Sequence, residues 1–183
     1  VLIKYTKDYK IEWIKKIKSL YVNSMIKTQD SGFILAGSFD EDVEIDGIKT
    51  LINKIDKDAC IVKFNSNGEL EWARSECGEI GDDEFYSIIQ DKDGGFLVSG
   101  YNIITTQEYG RIYKTNCGIV IKYNSNGDKI WSKTLDGNGD NNSIRCVSIL
   151  ENGDYVLGIS YYRYFKIDEF EAGNKDSHSS DDS

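Results

Sequence analysis

The chain has 183 residues, of which 39% are apolar and none is proline. This length fits one ordinary domain with a core that excludes solvent. A formal net charge of −9 argues against a nucleic-acid partner, because affinity for phosphates comes from an excess of lysine and arginine. No apolar run approaches the roughly 18 residues that a membrane span needs.

The chain begins Val1-Leu2-Ile3, without an initiating methionine or a signal peptide. We therefore expect it to be a segment of a longer protein. The absence of a leader says nothing about its compartment.

An internal repeat organises the chain. Trp13, Trp72 and Trp131 are each separated by 59 residues, and the residues around them repeat in the same register. Before each tryptophan, an apolar run ends in a lysine and an aromatic residue, at residues 1–5, 60–64 and 119–123. Self-similarity at a fixed period is typical of repeat architectures. The register predicts three copies, at residues 1–59, 60–118 and 119–167.

Each copy is predicted to form four short strands. In the second copy, an apolar strand at 60–64 and an alternating strand at 69–75 flank Asn67-Gly68, a typical hairpin turn. A third strand follows at 85–90 and a fourth at 96–101. The fourth strands of the three copies are continuously apolar, which predicts that both faces are covered. Residues 11–18 have helix-like lysine spacing, but the repeat register predicts a strand there.

Four antiparallel strands repeated at this length are typical of the blades of a β-propeller. We predict an all-β fold with three four-stranded antiparallel blades of a partial β-propeller, because closed propellers have about four to eight blades. Further blades would come from a parent chain or a second copy. The predicted structural repeat core consists of six aromatic residues at repeated phases: Trp13, Trp72, Trp131, Phe33, Phe96 and Tyr155. A ligand-stacking role for the tryptophans is the alternative.

The loops between the second and third strands and the long connections between copies are predicted to lie on one face. Loops on a rigid scaffold are the usual place for function. The acids and amides of this face are the candidate binding residues: Asp82, Asp83, Glu84, Asp136, Asp140, Asn141 and Asn142. We expect contacts with a protein, a sugar or a cation, with simple solvation of the surface as the alternative. Catalysis by Asp82, Asp83 and Asp140, as in carboxylate glycoside hydrolases, is a competing hypothesis.

Three clusters of Asn and Asp resemble the start of a calcium loop: Asn65/Asn67, Asp91/Asp93 and Asn124/Asn126/Asp128. None continues to the bidentate glutamate of such a loop, and all coincide with predicted hairpin turns. We predict turns and no cofactor, and keep a calcium-stabilised adhesion module as an alternative. No nucleophile elbow, HExxH or P-loop is present, so we predict that the chain is not an enzyme.

The four cysteines, Cys60, Cys77, Cys117 and Cys146, lack CxxC spacing, which argues against zinc. Cys60 and Cys117 lie near the starts of successive first strands. Whether they pair is left open by the sequence.

The strings GSFDEDVEIDGIKTL (37–51), DACIVKFNSNGELEW (58–72) and DGGFLVSG (93–100) resemble the bacterial beta-propeller repeat family, the SBBP-type repeats. The resemblance spans nearly residues 1–162. It implies a propeller fold, no catalytic residue, and membership of a large secreted or surface-attached protein. The third copy departs from the pattern, because Asp154 replaces the second glycine and Ile159 stands where Gly37 and Gly100 stand.

Residues 168–183 contain six acids and one lysine, and include the single histidine, His178. We predict an acidic disordered tail or linker there. Taken together, the sequence predicts a non-enzymatic scaffold or binding module within a larger bacterial surface or secreted protein.

Overall fold

The computed structural model describes residues 1–53, 56–76, 81–108, 111–135 and 142–173. These residues form seventeen strands and no helix, which confirms the all-β class. Accordingly, this part of the chain holds no helix of the length and apolarity that a membrane span requires. In chain order the strands are β1 (Leu2–Tyr5), β2 (Ile11–Lys15), β3 (Ile17–Lys18), β4 (Tyr21–Lys27), β5 (Phe33–Phe39), β6 (Val43–Ile45), β7 (Ile48–Leu51), β8 (Asp58–Phe64), β9 (Leu70–Glu76), β10 (Glu84–Gln90), β11 (Phe96–Glu108), β12 (Arg111–Tyr123), β13 (Lys129–Thr134), β14 (Ser143–Ile149), β15 (Tyr155–Ser160), β16 (Tyr164–Ile167) and β17 (Phe170–Gly173).

The four strands predicted for the second copy are confirmed as β8, β9, β10 and the first part of β11. The stretch with helix-like lysine spacing is also extended, as β2 and β3. Trp13 packs on Phe33 and Ile17 packs on the core of the first sheet, and these tertiary contacts outweigh the weak local preference for a helix.

Two four-stranded antiparallel sheets form the centre of the molecule. We call β4-β5-β8-β9 the first sheet and β10-β11-β12-β13 the second sheet. The remaining strands form the hairpins β1-β2, β14-β15 and β16-β17 and the three-stranded sheet β3-β6-β7.

The strands are grouped differently from the prediction of three blades with one copy in each. Each four-stranded sheet joins the third and fourth strands of one copy to the first and second strands of the next. The physical reason is the connection between copies, which brings Phe33 opposite Phe64 and Phe96 opposite Tyr123. The loop between the second and third strands instead crosses to the next sheet. Residues 60 and 119, the predicted repeat boundaries, therefore fall inside β8 and β12.

The long connections contain regular structure where the sequence indicated loops. Residues 40–57 include the hairpin β6-β7, and residues 102–108 and 111–116 extend β11 and β12 as paired strands. The hairpin β16-β17 follows β15 and takes up residues 168–173, the first part of the predicted disordered tail. Residues 174–183 lie outside the described part of the chain.

The sheets pack face to face. The first core lies between the first and second sheets and includes Ile34 and Ile61 from one side and Phe85 and Val98 from the other. A second core, with Leu35 and Val62, lies on the opposite face of the first sheet, and a third, with Leu97 and Val120, on the opposite face of the second. Successive residues of β5 thus face different cores, as the alternation along a strand requires.

Each tryptophan lies at the same place in this stack. Trp13, Trp72 and Trp131 lie 6.2, 5.9 and 6.4 Å from the rings that open the fourth strands, which are Phe33, Phe96 and Tyr155. The turn glycine of the following copy lies against the indole, so a Cβ on Gly68 would be 2.8 Å from Trp13 and one on Gly127 would be 2.9 Å from Trp72. Both glycines have positive φ, which the turn requires.

The fourth strand of the third copy differs from the other two. It was predicted to be covered on both faces, but Tyr155 and Val156 of β15 are exposed. The prediction is wrong for this copy because, within the described part of the chain, β15 pairs only with β14, whereas β5 and β11 have strands on both sides. Cys60 and Cys117 are buried in different sheets, so the pairing between them that the sequence left open is not formed.

Candidate functional site

The connections between copies and the loops between second and third strands meet at one end of the sheets, which we call the loop end. The tight turns at the other end form the turn end. Of the candidate binding residues, Asp82, Asp83, Glu84 and Asn142 are described, and all four belong to the loop end. Asp136, Asp140 and Asn141 lie outside the described residues, and so does any pairing of Asp82 with Asp140.

Asp83 and Asn142 are buried and make the same contacts one repeat apart. The backbone N–H of Asp83 donates to the Lys57 carbonyl (2.7 Å), and that of Asn142 donates to the Asn116 carbonyl (3.0 Å). The side-chain Oδ1 of Asp83 accepts from Ile103 N (2.9 Å), and that of Asn142 accepts from Tyr162 N (3.2 Å). Both side chains therefore hold the connection between copies in place and are buried rather than presented at the surface.

Glu84 links three elements at the start of β10. Its Oε1 accepts from Asn23 Nδ2 of β4 (2.8 Å), and its Oε2 accepts from Lys57 Nζ (3.2 Å). Asp82 is exposed, and its Oδ1 accepts from the Lys57 backbone N–H (3.3 Å). Glu84 and Asp82 thus both accept hydrogen bonds from Lys57, and Asp82 remains at the surface.

An aromatic group adjoins these acids. The Tyr86 and Tyr101 rings lie 5.7 Å apart, and the Arg145 guanidinium lies over the Tyr86 ring at 4.4 Å, within cation–π distance. Both tyrosines are half-buried and Arg145 is exposed. We call Glu84, Tyr86, Tyr101, Arg145, Asn23, Lys57 and Asp82 the β10 cluster.

Three residues of the β10 cluster lie at β-bulges. Each third strand contains a bulge where the register shifts, and the extra residues are Asn23, Tyr86 and Arg145. A bulge redirects the side chain that it carries. The three bulges are at equivalent positions in consecutive copies, and this brings β4, β10 and β14 side chains together.

The tyrosines of the β10 cluster remain protonated at neutral pH. Burial, together with the neighbouring Tyr86 and Glu84, raises the pKa of Tyr101 to about 12. Burial also raises the pKa of Tyr86. The cluster therefore offers neutral hydroxyl groups and aromatic faces beside carboxylates and a guanidinium, which suits recognition of polar and cationic groups.

A shallow groove of about 540 Å³ lies at the turn end, between the last residues of β4 and β10. Its polar groups already bond to one another. The Gln29 backbone N–H donates to Gln90 Oε1 (2.7 Å), and Gln29 Nε2 donates to the Asp91 carbonyl (2.9 Å). These bonds join the two sheets across the groove.

The Asn and Asp clusters that resemble calcium loops form tight turns. Asn65 Oδ1 accepts from the N–H groups of Asn67 (2.9 Å) and Glu69 (3.0 Å), and Asn124 Oδ1 accepts from those of Asn126 and Asp128, both at 2.9 Å. These oxygens complete the turns. Among the described residues, no group of three or more His, Cys, Asp or Glu side chains is placed to hold a metal ion.

Sequence reasoning did not single out Asn23, Tyr86, Tyr101 or Arg145. The bulge position carries a different residue in each copy, so no sequence signal could have found it. A signal did exist for Asp83 and Asn142, because residues 59 apart in the repeat share a role.

No protein-family model matches the chain, and no curated protein matches it. The resemblance to the SBBP-type repeats therefore stays an expectation.

Proposed function

We propose that the chain is a non-enzymatic scaffold and protein-binding module of β-propeller-type blades, part of a larger bacterial surface or secreted protein. The β10 cluster is the observation that carries the binding role. The face-to-face sheets and the common position of the three tryptophans support the propeller-type architecture. The family resemblance supports the larger parent protein and the surface or secreted location.

A protein partner suits the β10 cluster because of its residue types. Tyrosine and arginine are enriched at the energetic centres of protein interfaces. A tyrosine ring supplies a large contact area and a polar group with little conformational entropy to lose. The exposed acids nearby, including Asp40, Glu41 and Asp82, favour a partner segment that carries lysine or arginine.

The pKa shifts of four described acids support a non-enzymatic role. A carboxylate glycosidase needs a general acid whose pKa is raised. Partial burial works against ionisation of Asp30 and Asp91, but hydrogen bonds from Lys63 and Lys122 outweigh it and lower both pKa values. Hydrogen bonds from lysines lower the pKa values of Asp42 and Asp46 as well. Each of these shifts is opposite to the one that a general acid needs.

The experiment is selection of binding peptides from a displayed random library on the folded chain. We expect the selected peptides to carry basic and aromatic residues, and to bind Tyr101→Ala and Arg145→Ala at least about tenfold more weakly, as for interface hot spots. Tyr9→Ala is the matched control, because Tyr9 is 89% exposed and lies at the turn end, away from the β10 cluster. Circular dichroism of each variant verifies folding.

Selected peptides that bind all variants equally would contradict a role for the β10 cluster. Hydrolysis of chromogenic glycosides by the wild-type chain, lost in Asp82→Asn, would instead establish the hydrolase alternative.

A further inference from the structure

The two outer hairpins of the molecule, β1-β2 and β14-β15, correspond to the two halves of a four-stranded sheet. Hairpin β1-β2 has the repeat phase of β8-β9 and β12-β13. Its Lys4 lies opposite Trp13, as Lys63 lies opposite Trp72, and a register shift follows each lysine. The Lys4–Glu12 ion pair (2.8 Å) repeats the Lys63–Glu71 pair (2.7 Å).

Hairpin β14-β15 has the repeat phase of β4-β5 and β10-β11. Its bulge at Arg145 matches those at Asn23 and Tyr86. In the first sheet, the second strand of hairpin β4-β5 pairs with the first strand of hairpin β8-β9, so that β5 lies beside β8. In the second sheet, β11 of hairpin β10-β11 pairs in the same way with β12 of hairpin β12-β13. In the described residues, β15 and β1 each lack that neighbour.

The exposure of individual side chains marks the two open edges. The Lys63 and Lys122 side chains are 2% and 5% exposed, whereas Lys4 is 40% exposed. Val156 is 49% exposed, whereas Leu97, one repeat earlier, is fully buried. Ile3 is 46% exposed, whereas the equivalent Val62 is fully buried. Each edge therefore exposes the side chains that a neighbouring strand covers in the complete sheets.

We propose that β15 of one copy of this chain pairs with β1 of a second copy, so that β14-β15 and the second copy's β1-β2 form a four-stranded sheet. The register of the two complete sheets sets the alignment: Tyr155 opposite Tyr5, Val156 opposite Lys4 and Leu157 opposite Ile3. This inference goes beyond the proposed binding role and depends on strand register, exposure and charge.

The same chain cannot supply both halves in this arrangement. Leu2 packs on the outer core of the first sheet, and Ile144 and Val147 of β14 pack on the outer core of the second sheet. Two complete sheets, each about 10 Å from the next, separate the hairpins. A second copy can supply the missing strand, and the contact between the copies is then head-to-tail, which gives either a closed ring or an open chain of copies.

Electrostatics favour this pairing. Lys63 contacts Asp30 (2.8 Å) in the turn of the preceding copy, and Lys122 contacts Asp91 (2.6 Å) and Asp93 (3.4 Å). The corresponding turn in the third copy contains Asn152 and Asp154. Asp154 occupies the repeat position of Gly32 and Gly95. A Cβ added to Gly32 would lie 2.8 Å from Lys63 Nζ, and one added to Gly95 would lie 3.2 Å from Lys122 Nζ. The Asp154 carboxylate is therefore positioned to accept from the second copy's Lys4.

The junction between copies is looser than those within the chain. A Cβ on Gly95 would lie 2.6 Å from the Tyr123 carbonyl oxygen, so Asp154 must stand farther from the paired strand. Tyr9 also occupies the repeat position of Gly68 and Gly127, the glycines that lie against the tryptophan of the preceding copy. We therefore expect association that depends on concentration and exchanges in solution.

The test uses light scattering on a size-exclusion column over a wide range of concentrations. The wild-type mass is expected to rise from monomer to dimer or to higher multiples. Lys4→Glu removes the ammonium and adds an acid beside Asp154, and it should weaken association by about a hundredfold or more. Lys7→Glu, the same charge change at an exposed position in the β1-β2 turn, should associate like the wild type.

Complementation gives a second readout. Val156→Lys places a lysine opposite Lys4 and should also prevent self-association. Mixing Lys4→Glu chains with Val156→Lys chains should restore it, because each mixed junction is either wild type or pairs glutamate with lysine. A wild-type chain that remains monomeric throughout, a Lys4→Glu chain that associates normally, or a folded mixture that fails to associate would overturn the proposal.

Discussion

Lys63 and Lys122 are charged residues buried within strands. The Lys63 ammonium contacts Asp30 (2.8 Å) and Glu71 (2.7 Å), and it donates to the Phe64 carbonyl (3.2 Å). A buried ammonium is costly unless hydrogen bonds and opposite charges replace its water. Each lysine therefore ties the turn of one copy to the first strand of the next. The signal for this role is in the sequence, as a lysine at a fixed phase within an apolar run.

Asp30 makes stability depend on pH. Partial burial favours its neutral form, but hydrogen bonds from Lys63 and Thr28 outweigh this and lower its pKa to about 2 from an ordinary value of 3.8. A carboxyl with a lowered folded-state pKa contributes stability above its unfolded pKa and loses it as the pH falls through the folded one. We expect Asp30→Asn to flatten the dependence of unfolding free energy on pH between about 4 and 2.

The measurement is urea unfolding at several pH values. Since Asp30 is half exposed, solvent screens the effect and the change should be small. Asp8→Asn, in an exposed turn, is the control. Equal slopes for wild type and Asp30→Asn would contradict the ion-pair assignment.

At the scale of the element, the bulged third strand fits closely against its neighbour. A Cβ on Gly37 would overlap the Tyr21 carbonyl oxygen, and one on Gly100 would overlap the Glu84 carbonyl oxygen. At the first two bulges, the opposite glycine is thus required by close approach of the backbones. In the third copy Ile159 occupies this position, and the close contact moves to Gly158 and the Cys146 sulfur.

Gly37→Ala should lower the free energy of unfolding by about 3 kcal/mol, because two backbones must separate. Gly47→Ala is the comparison. It has φ of +85° with no atom within 4 Å of the added Cβ, so only the backbone strain, about 1 to 2 kcal/mol, applies. Urea denaturation measures both. Equal losses would show that crowding at the bulge is not the cause.

At the scale of the whole molecule, three apolar cores stack between sheets. In the hairpins β8-β9 and β12-β13, a side chain within the tight turn closes the turn. Asn65 and Asn124 therefore use oxygens within the turns that a calcium loop would need for the ion. Stability should come from packing between sheets and not from a bound metal.

We accordingly expect calcium to leave the melting temperature unchanged. Differential scanning calorimetry with excess calcium and with a chelator measures this directly, because a ligand of the native state raises the melting temperature. A rise of several degrees with calcium would support the calcium-stabilised adhesion module.

Strand positions could be predicted because they depend on neighbouring residues. Alternating and β-branched runs around Asn67-Gly68 specify β8 and β9 without reference to the rest of the chain. The grouping of strands could not be predicted in the same way. The sequence indicates the chain order of β9 and β10 but not the sheets to which they belong. Only the structure of the long connections shows that β8 pairs with β5 and that β10 begins the second sheet.

The candidate site illustrates the same division. We expected Asp82, Asp83 and Glu84 at the loop end because they lie in the loop between a second and a third strand. All such loops leave an antiparallel meander on the same side. Asp83 then proved to bond to the Ile103 backbone N–H, which required the fold of β11. Tyr86 and Arg145 meet only because the bulges of β10 and β14 lie side by side.

The sequence by itself determined the repeat, the all-β class, the hairpin turns and the shared phase of the tryptophans, because these depend on local patterns and on glycine or asparagine at tight turns. Tertiary structure alone decided which strands share a sheet, which acids are engaged by backbone groups and which edges remain open. Those outcomes depend on hydrogen bonds and packing between residues far apart in the chain, and a local pattern does not specify such partners.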